Sequence, residues 1–379
     1  MPKRDLPDNP IWSWIGFPIV QWLSLTGLLV VLSLVIAGSI NPHKPIEGDS
    51  RSGGRSPFDL ASLRERLPAD AIKRVQGFVT YYQENRRRGF RDSLARSTRY
   101  VSQFQQIFRE AGLPEELAFL PLIESGFMET AVSPAKAVGV WQFMEETGRR
   151  YDLKTTRWFD QKLDPIHSAR AAAKYLGHLY EKFGDWDLAL AAYNSGEGTV
   201  HWALRNAEKS NLSKSFWSLD LPDETRAYVP AFLAAMLIAK NPTAYGFEEI
   251  VFHPQMTYEQ IKVNAGIPLI DLAEELETDV QSLRDLNPSL LEGVTPPGSA
   301  PYLLRVPHGM RTHLEVRLGA NAGLPDGRQR DWLVHQVDGS DTLQRLASKF
   351  RTDAGLIKQY NGINSNSDLT PGRLVIIPL

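Results

Sequence analysis

Hydrophobic residues follow three different patterns along the chain, and each pattern predicts a different kind of structure. Residues 22–40 are mostly apolar and carry no charge. From about residue 58 to residue 250, apolar side chains recur at the spacing of amphipathic helices, with few β-branched runs. Beyond that point, short apolar strands closed by proline alternate with short helical segments. The chain is therefore predicted to be mainly α, with a smaller α+β part after it.

Glycine and proline punctuate the helical stretch, which is predicted to be one domain covering residues 58–250. It shows no repeat period, which argues against a helical solenoid that serves only for binding. Examples of the helices predicted within it are residues 60–67, 72–84, 100–110, 114–124, 166–182, 189–193 and 228–239.

The last third of the chain contains an internal repeat at an offset of 74 residues, in which Leu269 matches Leu343 and Asn287 matches Asn361. The two copies end in the strands YLLRVP and RLVIIP. Each copy is predicted to fold as strand, helix, helix, strand (βααβ), because two helices on a two-stranded sheet can enclose a small core. The predicted modules cover residues 256–308 and 332–379, with a linker at 309–331.

The apolar segment at residues 22–40 is 19 residues long, enough to span about 30 Å of hydrocarbon as a helix. We expect a transmembrane signal anchor there, with a cytoplasmic N-terminus at residues 1–21 and a flexible linker at 41–57. The later domains then lie outside the cytoplasm. A cleaved signal peptide is the alternative interpretation.

Composition excludes several kinds of protein. The 42 Lys and Arg against 44 Asp and Glu give a formal net charge of −2, so the basic excess of a dedicated nucleic-acid-binding protein is missing. The chain has no cysteine, which excludes disulfides, thiolate catalysis, Cys-ligated metals and a lipoprotein anchor. The eight histidines show no metal-ligand spacing, and no phosphate-binding glycine loop opens a helix. We expect neither a cofactor nor a metal.

Glu124 is a candidate general acid. It falls near the end of the predicted helix 114–124, just before Gly126, and mostly apolar residues precede it. Burial and the negative end of the helix dipole both disfavour its ionised form and raise its pKa. A general acid that works near neutral pH needs such a pKa. On these grounds alone, a solvated surface glutamate remains the alternative.

A set of ordered motifs resembles the soluble lytic transglycosylase catalytic domain, which has a lysozyme-like α fold. The motifs are Glu124-Ser125, Ser133, GVWQFM at residues 139–144 and AYNSG at 192–196. The wider pattern resembles the membrane-bound lytic murein transglycosylase D family over about residues 60–379. Supporting segments are Trp158, Asp164-Pro165, residues 171–176, 185–194, 216–217 and 221–225, and Tyr228-Val-Pro230.

The resemblance implies that Glu124 cleaves the β-1,4 bond between N-acetylmuramic acid and N-acetylglucosamine in peptidoglycan. Glu124 acts first as acid and then as base, and the product is a 1,6-anhydro end. The substrate-binding residues expected from the resemblance are Ser133, Gln142, Met144, Tyr193 and Asn194. Among them, Tyr193 is expected to donate its hydroxyl to Glu124, while Asn194 is expected mainly to shape the turn before Ser195-Gly196.

The second C-terminal copy resembles a LysM module, a domain that binds N-acetylglucosamine-containing polymers. It carries Gly339-Ser-Asp-Thr-Leu343 near the family's G-D-T-L, with Ser340 inserted. The first copy lacks that motif and is predicted to be a degenerate module. The expected partners are peptidoglycan glycan strands, a GlcNAc polymer at the LysM module and the membrane, with no nucleic acid. The expected location is the cell envelope.

Two departures from the family pattern lie near the expected groove: Lys136 stands where glycine is usual, and Glu145 stands where proline is usual. Two alternatives to the transglycosylase also remain. One is a muramidase that hydrolyses the same bond, since Glu129, Asp152 and Asp160 cannot be placed from sequence. The other is a non-catalytic scaffold that binds the cell wall.

Overall fold

The computed structural model describes residues 56–298, 301–319 and 331–379. Within these ranges the chain forms two compact units. Unit 1 comprises residues 56–128, 132–137 and 172–253, and unit 2 comprises residues 129–131, 138–171 and the described part of 254–379. The predicted cytoplasmic N-terminus (1–21) and transmembrane segment (22–40), and nearly all of the linker 41–57, lie outside the described residues. No helix in the described ranges is both long and apolar enough to cross a membrane.

The part of the chain before residue 250 is helical, as the periodicity predicted. Its helices are α1 Leu60–Arg66, α2 Ala69–Glu84, α3 Arg87–Ser97, α4 Val101–Glu110, α5 Pro121–Glu124, α6 Glu145–Arg150, α7 Pro165–Phe183, α8 Trp186–Ser195, α9 Glu197–Lys209 and α10 Asp223–Lys240. Short 3₁₀ helices cover Glu115–Phe119, Gln161–Leu163, Phe216–Ser218 and Thr243–Tyr245.

Unit 1 has an aromatic core. Tyr82 on α2 stacks on Phe90 of α3 with ring centroids 4.2 Å apart, and its hydroxyl donates to the carbonyl of Ala231 on α10. The rings of Tyr100, Phe104 and Phe127 stack in a row, with centroids 5.7 and 6.0 Å apart. Each buried aromatic side chain contributes about 1.5–3 kcal/mol through lost contact with water. This core holds α10 against the helices that precede the candidate acid.

Two predicted helices differ from the structure around that acid. The single helix predicted at 114–124 is broken into the 3₁₀ helix Glu115–Phe119 and the four-residue α5. Pro121 lacks an N–H group and its ring disfavours a helical turn before it, and α5 begins at this residue. The helix predicted at 228–239 begins five residues earlier, at Asp223, and accommodates Pro230 in its interior. Helices α3, α6 and α9 lie inside the stretch predicted to be helical, but no bounds were predicted for them.

Unit 2 contains two successive βααβ modules, which confirms the predicted α+β part. Module 1 consists of β1 Glu259–Val263, α11 Leu269–Glu275, α12 Val280–Leu286 and β2 Tyr302–Val306, and it is followed by α13 Arg311–Leu318. Module 2 consists of β3 Trp332–Gln336, α14 Leu343–Phe350, α15 Ala354–Asn361 and β4 Leu374–Pro378, with a 3₁₀ helix at Asn366–Asp368. Each sheet is an antiparallel pair, with Val263 opposite Tyr302 and Gln336 opposite Leu374.

Helix α13 falls within residues 309–331, which the sequence analysis assigned to a linker. Its residue Leu314 is fully buried and joins the core of module 1, as does Leu318. The helix was missed because two leucines among charged residues give only a weak apolar stripe.

The asparagine that recurs in the sequence repeat makes the same hydrogen bonds in both modules. The side chain of Asn287 donates to the carbonyls of Leu283 and Arg305 and accepts from the N–H of Arg305, at 2.7–2.9 Å. Asn361 makes the same three bonds to Ile357 and Ile376 at 2.7–2.8 Å. Each asparagine thus ties the end of the second helix to the second strand.

Candidate active site

Glu124 is the last residue of α5, and its side chain is partly exposed in unit 1. The residues before it are buried: Leu120 is fully inaccessible, and Leu122 and Ile123 are 6% exposed. Because α5 is only four residues long, it supplies little of the helix dipole that the sequence analysis invoked. The carboxyl group is instead controlled by side chains from other elements.

Two of these side chains lie on α10. The hydroxyl of Tyr228, whose side chain is 1% exposed, donates to Oε1 of Glu124. Glu224 lies one turn earlier on the same face of α10, and its negative charge acts on Glu124. Glu224 is in the first turn of the helix, where the positive end of the dipole favours a carboxylate.

The pKa of Glu124 is raised to about 8. Burial is the main cause, because it disfavours the charged form, and the Glu224 carboxylate acts in the same direction. The hydrogen bond from Tyr228 works against both, since it stabilises the carboxylate. The direction of this pKa shift agrees with the expectation from the sequence, and a pKa of about 8 favours the protonated form at neutral pH.

The loop after Glu124 is held by Arg96 of α3. Arg96 donates through Nε to the carbonyl of Gly126 at 2.7 Å and through Nη2 to Oγ of Ser93 at 3.1 Å. Gly126 has φ +60°, and a Cβ there would lie 2.6 Å from Oγ of Ser93. The close approach of α3 therefore requires glycine at position 126, two residues after the acid.

Tyr193 and Asn194 lie at the end of α8, and both are linked to this cluster. The charge of Glu124 raises the pKa of Tyr193, after burial, and the Tyr193 ring contacts Tyr175 at 5.3 Å. Asn194 donates to Oε1 of Glu224 at 3.2 Å, and its Oδ1 accepts from the hydroxyl of Thr225 at 3.0 Å. Asn194, the penultimate residue of α8, thus orients Glu224.

The other sequence-predicted residues make hydrogen bonds within their own loops. Ser133 in unit 1 is buried, and its Oγ accepts from the N–H of Ala137 at 2.7 Å. Gln142 in unit 2 has φ +49° and donates to the carbonyls of Gly139 and Ala131 at 2.8 and 3.3 Å. Met144, also in unit 2, is 44% exposed and directly precedes α6.

The two departures from the family pattern have structural explanations. Lys136 has φ +66°, a conformation that glycine adopts without steric cost, so the lysine is tolerated under strain. Glu145 begins α6 and forms an ion pair with Lys162, and this bond lowers the pKa of the Glu145 carboxyl. Glutamate at this position therefore neutralises a buried lysine.

Tyr228 and Glu224 are the functional candidates whose roles the sequence analysis missed, although it quoted their segments. Their spacing of four residues was the available signal, because it places both on one face of a helix. The predicted helix began at Tyr228, so the two residues were not recognised as neighbours. Among the described residues, no cluster of His, Asp and Glu is arranged to hold a metal ion.

Comparison with known families identifies the domains of the chain. Residues 104–216 match the transglycosylase SLT domain, residues 257–321 match the LysM-like domain of lytic transglycosylase MltD, and residues 335–378 match the LysM domain. The chain therefore carries an SLT domain that contains Glu124, followed by two LysM-type domains.

Among its relatives, the chain is homologous to membrane-bound lytic murein transglycosylase D of Escherichia coli strain K12. The two are 32% identical over 294 residues, which is 76% of this chain and 65% of the relative. A putative tributyltin chloride resistance protein of Alteromonas sp. strain M-1 is 38% identical over 113 residues, 30% of this chain and 55% of that protein. The crystal structure of the 70 kDa soluble lytic transglycosylase of Escherichia coli matches 41% of this chain and 27% of that one, at 22% identity and a TM-score of 0.34.

Proposed function

We propose that this protein is a peptidoglycan lytic transglycosylase and that Glu124 is its catalytic acid and base. The observation that supports this most directly is the carboxyl group of Glu124, which lies in the range that matches the SLT domain, accepts a hydrogen bond from Tyr228 and has a raised pKa. The proposed substrate is the β-1,4 bond between N-acetylmuramic acid and N-acetylglucosamine. The similarity to a lytic murein transglycosylase supports this substrate. The lysozyme-like fold of the SLT region is part of the same proposal.

The proposed reaction uses one carboxyl group twice. Protonated Glu124 gives its proton to the glycosidic oxygen, and the bond from that oxygen to C1 of the muramoyl residue breaks. The muramoyl C6 hydroxyl then attacks C1, and its proton passes to the Glu124 carboxylate. The products are a 1,6-anhydro end and a free GlcNAc hydroxyl, no water is consumed, and Glu124 ends the cycle protonated. Because the nucleophile belongs to the substrate, its proximity replaces a second protein carboxylate.

Tyr228 determines which oxygen of Glu124 can act. Since Oε1 accepts the hydrogen bond from Tyr228, we assign the carboxyl proton of the neutral acid to Oε2. Oε2 is therefore the oxygen proposed to face the glycosidic bond. Ser133, Gln142, Met144, Tyr193 and Asn194 remain proposed substrate-site residues, on the basis of the family motifs they belong to.

Module 2 is proposed to bind GlcNAc-containing strands. The inserted Ser340 is absorbed in a turn, because its N–H and hydroxyl both donate to Oδ1 of Asp338 at 2.7 Å. The following loop is joined to the loop after α15, since the N–H of Leu343 donates to Oδ1 of Asn366 at 2.8 Å. We further propose a location in the cell envelope, with residues 22–40 as the membrane anchor.

The test is mass spectrometry of the products that the full chain releases from purified peptidoglycan, with Glu124→Gln measured beside it. We expect anhydro-muropeptides, lighter by one water than hydrolysed products, and we expect the variant to lose them while still binding the polymer. Glutamine keeps the shape of the side chain and removes the transferable proton.

Other outcomes identify the alternatives. Reducing-end products would identify a muramidase and make Glu224 the candidate second carboxylate. If neither protein gives products and both bind the polymer, the chain is a cell-wall-binding scaffold.

A further inference from the structure

Unit 2 contains a buried ion pair that the proposed chemistry does not use. Arg305 of β2 donates through Nη1 and Nη2 to the two carboxylate oxygens of Asp164, at 2.8 and 2.9 Å. The two side chains are only 4% and 5% exposed. Although burial alone favours the neutral acid, hydrogen bonding from His167 and the charge of Arg305 hold the pKa of Asp164 well below its usual range. The pair is bidentate and largely shielded from water, so it fixes distance and orientation.

Comparison of the two modules shows that this arginine is specific to module 1. Asn287 bonds the backbone of Arg305 in the same way that Asn361 bonds the backbone of Ile376. The equivalent position in module 2 is therefore isoleucine, and Ile376 packs in an apolar cluster with Ile270 and Val294 of module 1. In both modules this side chain faces away from the module's own core. In module 1 it has become a charged contact with the segment that carries Asp164.

Backbone bonds join module 1 to the same segment. The N–H of Asp160 donates to the carbonyl of Ser289, and the N–H of Leu291 donates to the carbonyl of Trp158, both at 2.9 Å. Phe159 and Leu290 form a β-bridge between these two bonds. The segment 158–164 lies inside the range that matches the SLT domain, yet it is bonded to module 1 like an added strand.

The contacts continue from residues 160–164 to the loop 138–144. Lys162 is 3% exposed and forms ion pairs with Asp160 and Glu145. Gly139 lies directly against it: with φ +82°, a Cβ at this glycine would be 2.0 Å from the carbonyl oxygen of Lys162. The loop 138–144, which carries Gln142 and ends at Met144, therefore packs on the backbone of Lys162. That backbone lies two residues before Asp164, which Arg305 holds in place.

We propose that module 1 is a positioning element of the catalytic domain, in which the Arg305–Asp164 pair holds the loop 138–144 for substrate binding. This rests on the proposed function, because Gln142 and Met144 are assigned to the substrate there. Module 1, which lacks the LysM motif, thus supports a substrate loop, and glycan-strand binding is assigned to module 2. Arg305 is a positioning residue and does not touch the substrate.

Amide hydrogen exchange on the full chain tests the physical claim without reference to activity. In Arg305→Met we expect faster exchange at Val138, Gly139 and Phe143, whose N–H groups are bonded to Phe143, Ala131 and Val138 at 2.8–3.1 Å. The matched control is Arg311→Met, since Arg311 belongs to the neighbouring α13 but pairs with Glu315 on the surface. Unchanged exchange in Arg305→Met would overturn the inference. Arg305→Lys keeps the charge and supplies a milder variant in case the methionine variant unfolds.

Kinetics on soluble glycan strands test the functional claim. We expect kcat/KM for anhydro-product formation to fall about 10- to 100-fold in Arg305→Met, mainly through KM, and to stay unchanged in Arg311→Met. If the substitution only reduced the fraction of folded protein, the apparent kcat would fall and KM would stay the same. That result would contradict a positioning role. If the unmodified chain forms no anhydro products, the proposed function fails, and the exchange experiment still decides whether module 1 holds the loop.

Discussion

At the scale of single residues, the protonation of Glu124 is a balance of three influences. Burial and Glu224 favour the neutral acid, while the hydrogen bond from Tyr228 favours the carboxylate. The resulting pKa of about 8 keeps the proton available over the neutral range and sets an upper pH limit to activity. Two of the three influences belong to single side chains, Glu224 and Tyr228, so each of these two can be removed separately.

The alkaline limb of the pH profile of kcat/KM should lie near pH 8, because the acid must be protonated to act. Glu224→Gln removes a like charge, lowers the pKa of Glu124 and should move the limb to lower pH. Tyr228→Phe removes a bond that stabilises the carboxylate, raises the pKa and should move the limb to higher pH. Glu208→Gln is the control, since Glu208 pairs with Lys214 on the surface. Shifts in the same direction for both active-site variants would contradict this account.

At the scale of elements, the site depends on how α5 and its loop meet α3. The preceding 3₁₀ helix ends at Phe119 and Pro121 starts α5, so Glu124 is presented at the end of a single short turn. The chain then turns back through two residues with positive φ, Gly126 and Phe127. The hydrogen bond from Arg96 to Gly126 keeps this turn against α3.

Gly126→Ala should therefore lower the free energy of unfolding by more than backbone strain alone would. The left-handed conformation costs a non-glycine residue about 1–2 kcal/mol, and here the new Cβ also meets Oγ of Ser93 at 2.6 Å. Gly112→Ala is the matched control, because Gly112 has φ +71° and no atom lies within 4 Å of the added carbon. We expect a larger loss in the free energy of unfolding for Gly126→Ala, measured by urea denaturation, and a loss of kcat in that variant alone. Equal effects of the two substitutions would show that the α3 contact is unimportant.

At the scale of the whole molecule, the two C-terminal modules share a buried interface within unit 2. The hydroxyl of Tyr360 in module 2 donates to Oδ1 of Asp271 in module 1 at 2.7 Å, and both side chains are buried. Trp332 of module 2 donates through Nε1 to the carbonyl of Gly266 at 3.0 Å. The guanidinium group of Arg284 binds the carbonyls of Gln359 and Tyr360 at 2.8 and 3.1 Å. Polar contacts on this scale favour cooperative unfolding of the two modules.

Tyr360→Phe should lower the free energy of unfolding by about 1.5–3 kcal/mol, because the Asp271 carboxylate loses a buried donor. Hydrogen exchange should accelerate in both modules together. Tyr180→Phe is the control, since Tyr180 lies on α7 and is 38% exposed. Acceleration confined to module 2 would mean that the modules unfold independently.

Much of the fold and part of the site were predictable from local pattern. The 3.6-residue periodicity gave most helices, and the repeat gave both βααβ modules with their paired asparagines. The apolar run before Glu124 predicted a raised pKa, although the cause assigned to the helix dipole does not apply to a four-residue helix. The break at Pro121 and the early start of α10 were missed, because boundaries depend on which neighbours satisfy the end groups of a helix.

The sequence by itself determined which residue is the candidate acid, where most helical segments lie and which copy carries the LysM-like motif. These properties are local, since periodicity along the chain states which face of an element is buried. Only the tertiary structure decided that Tyr228, 104 positions from Glu124, donates to it, and that Arg305 pairs with Asp164 across 141 positions. Periodicity does not state which buried faces meet. That is settled by the packing of whole helices and modules, where shape and the pairing of buried polar groups select one arrangement.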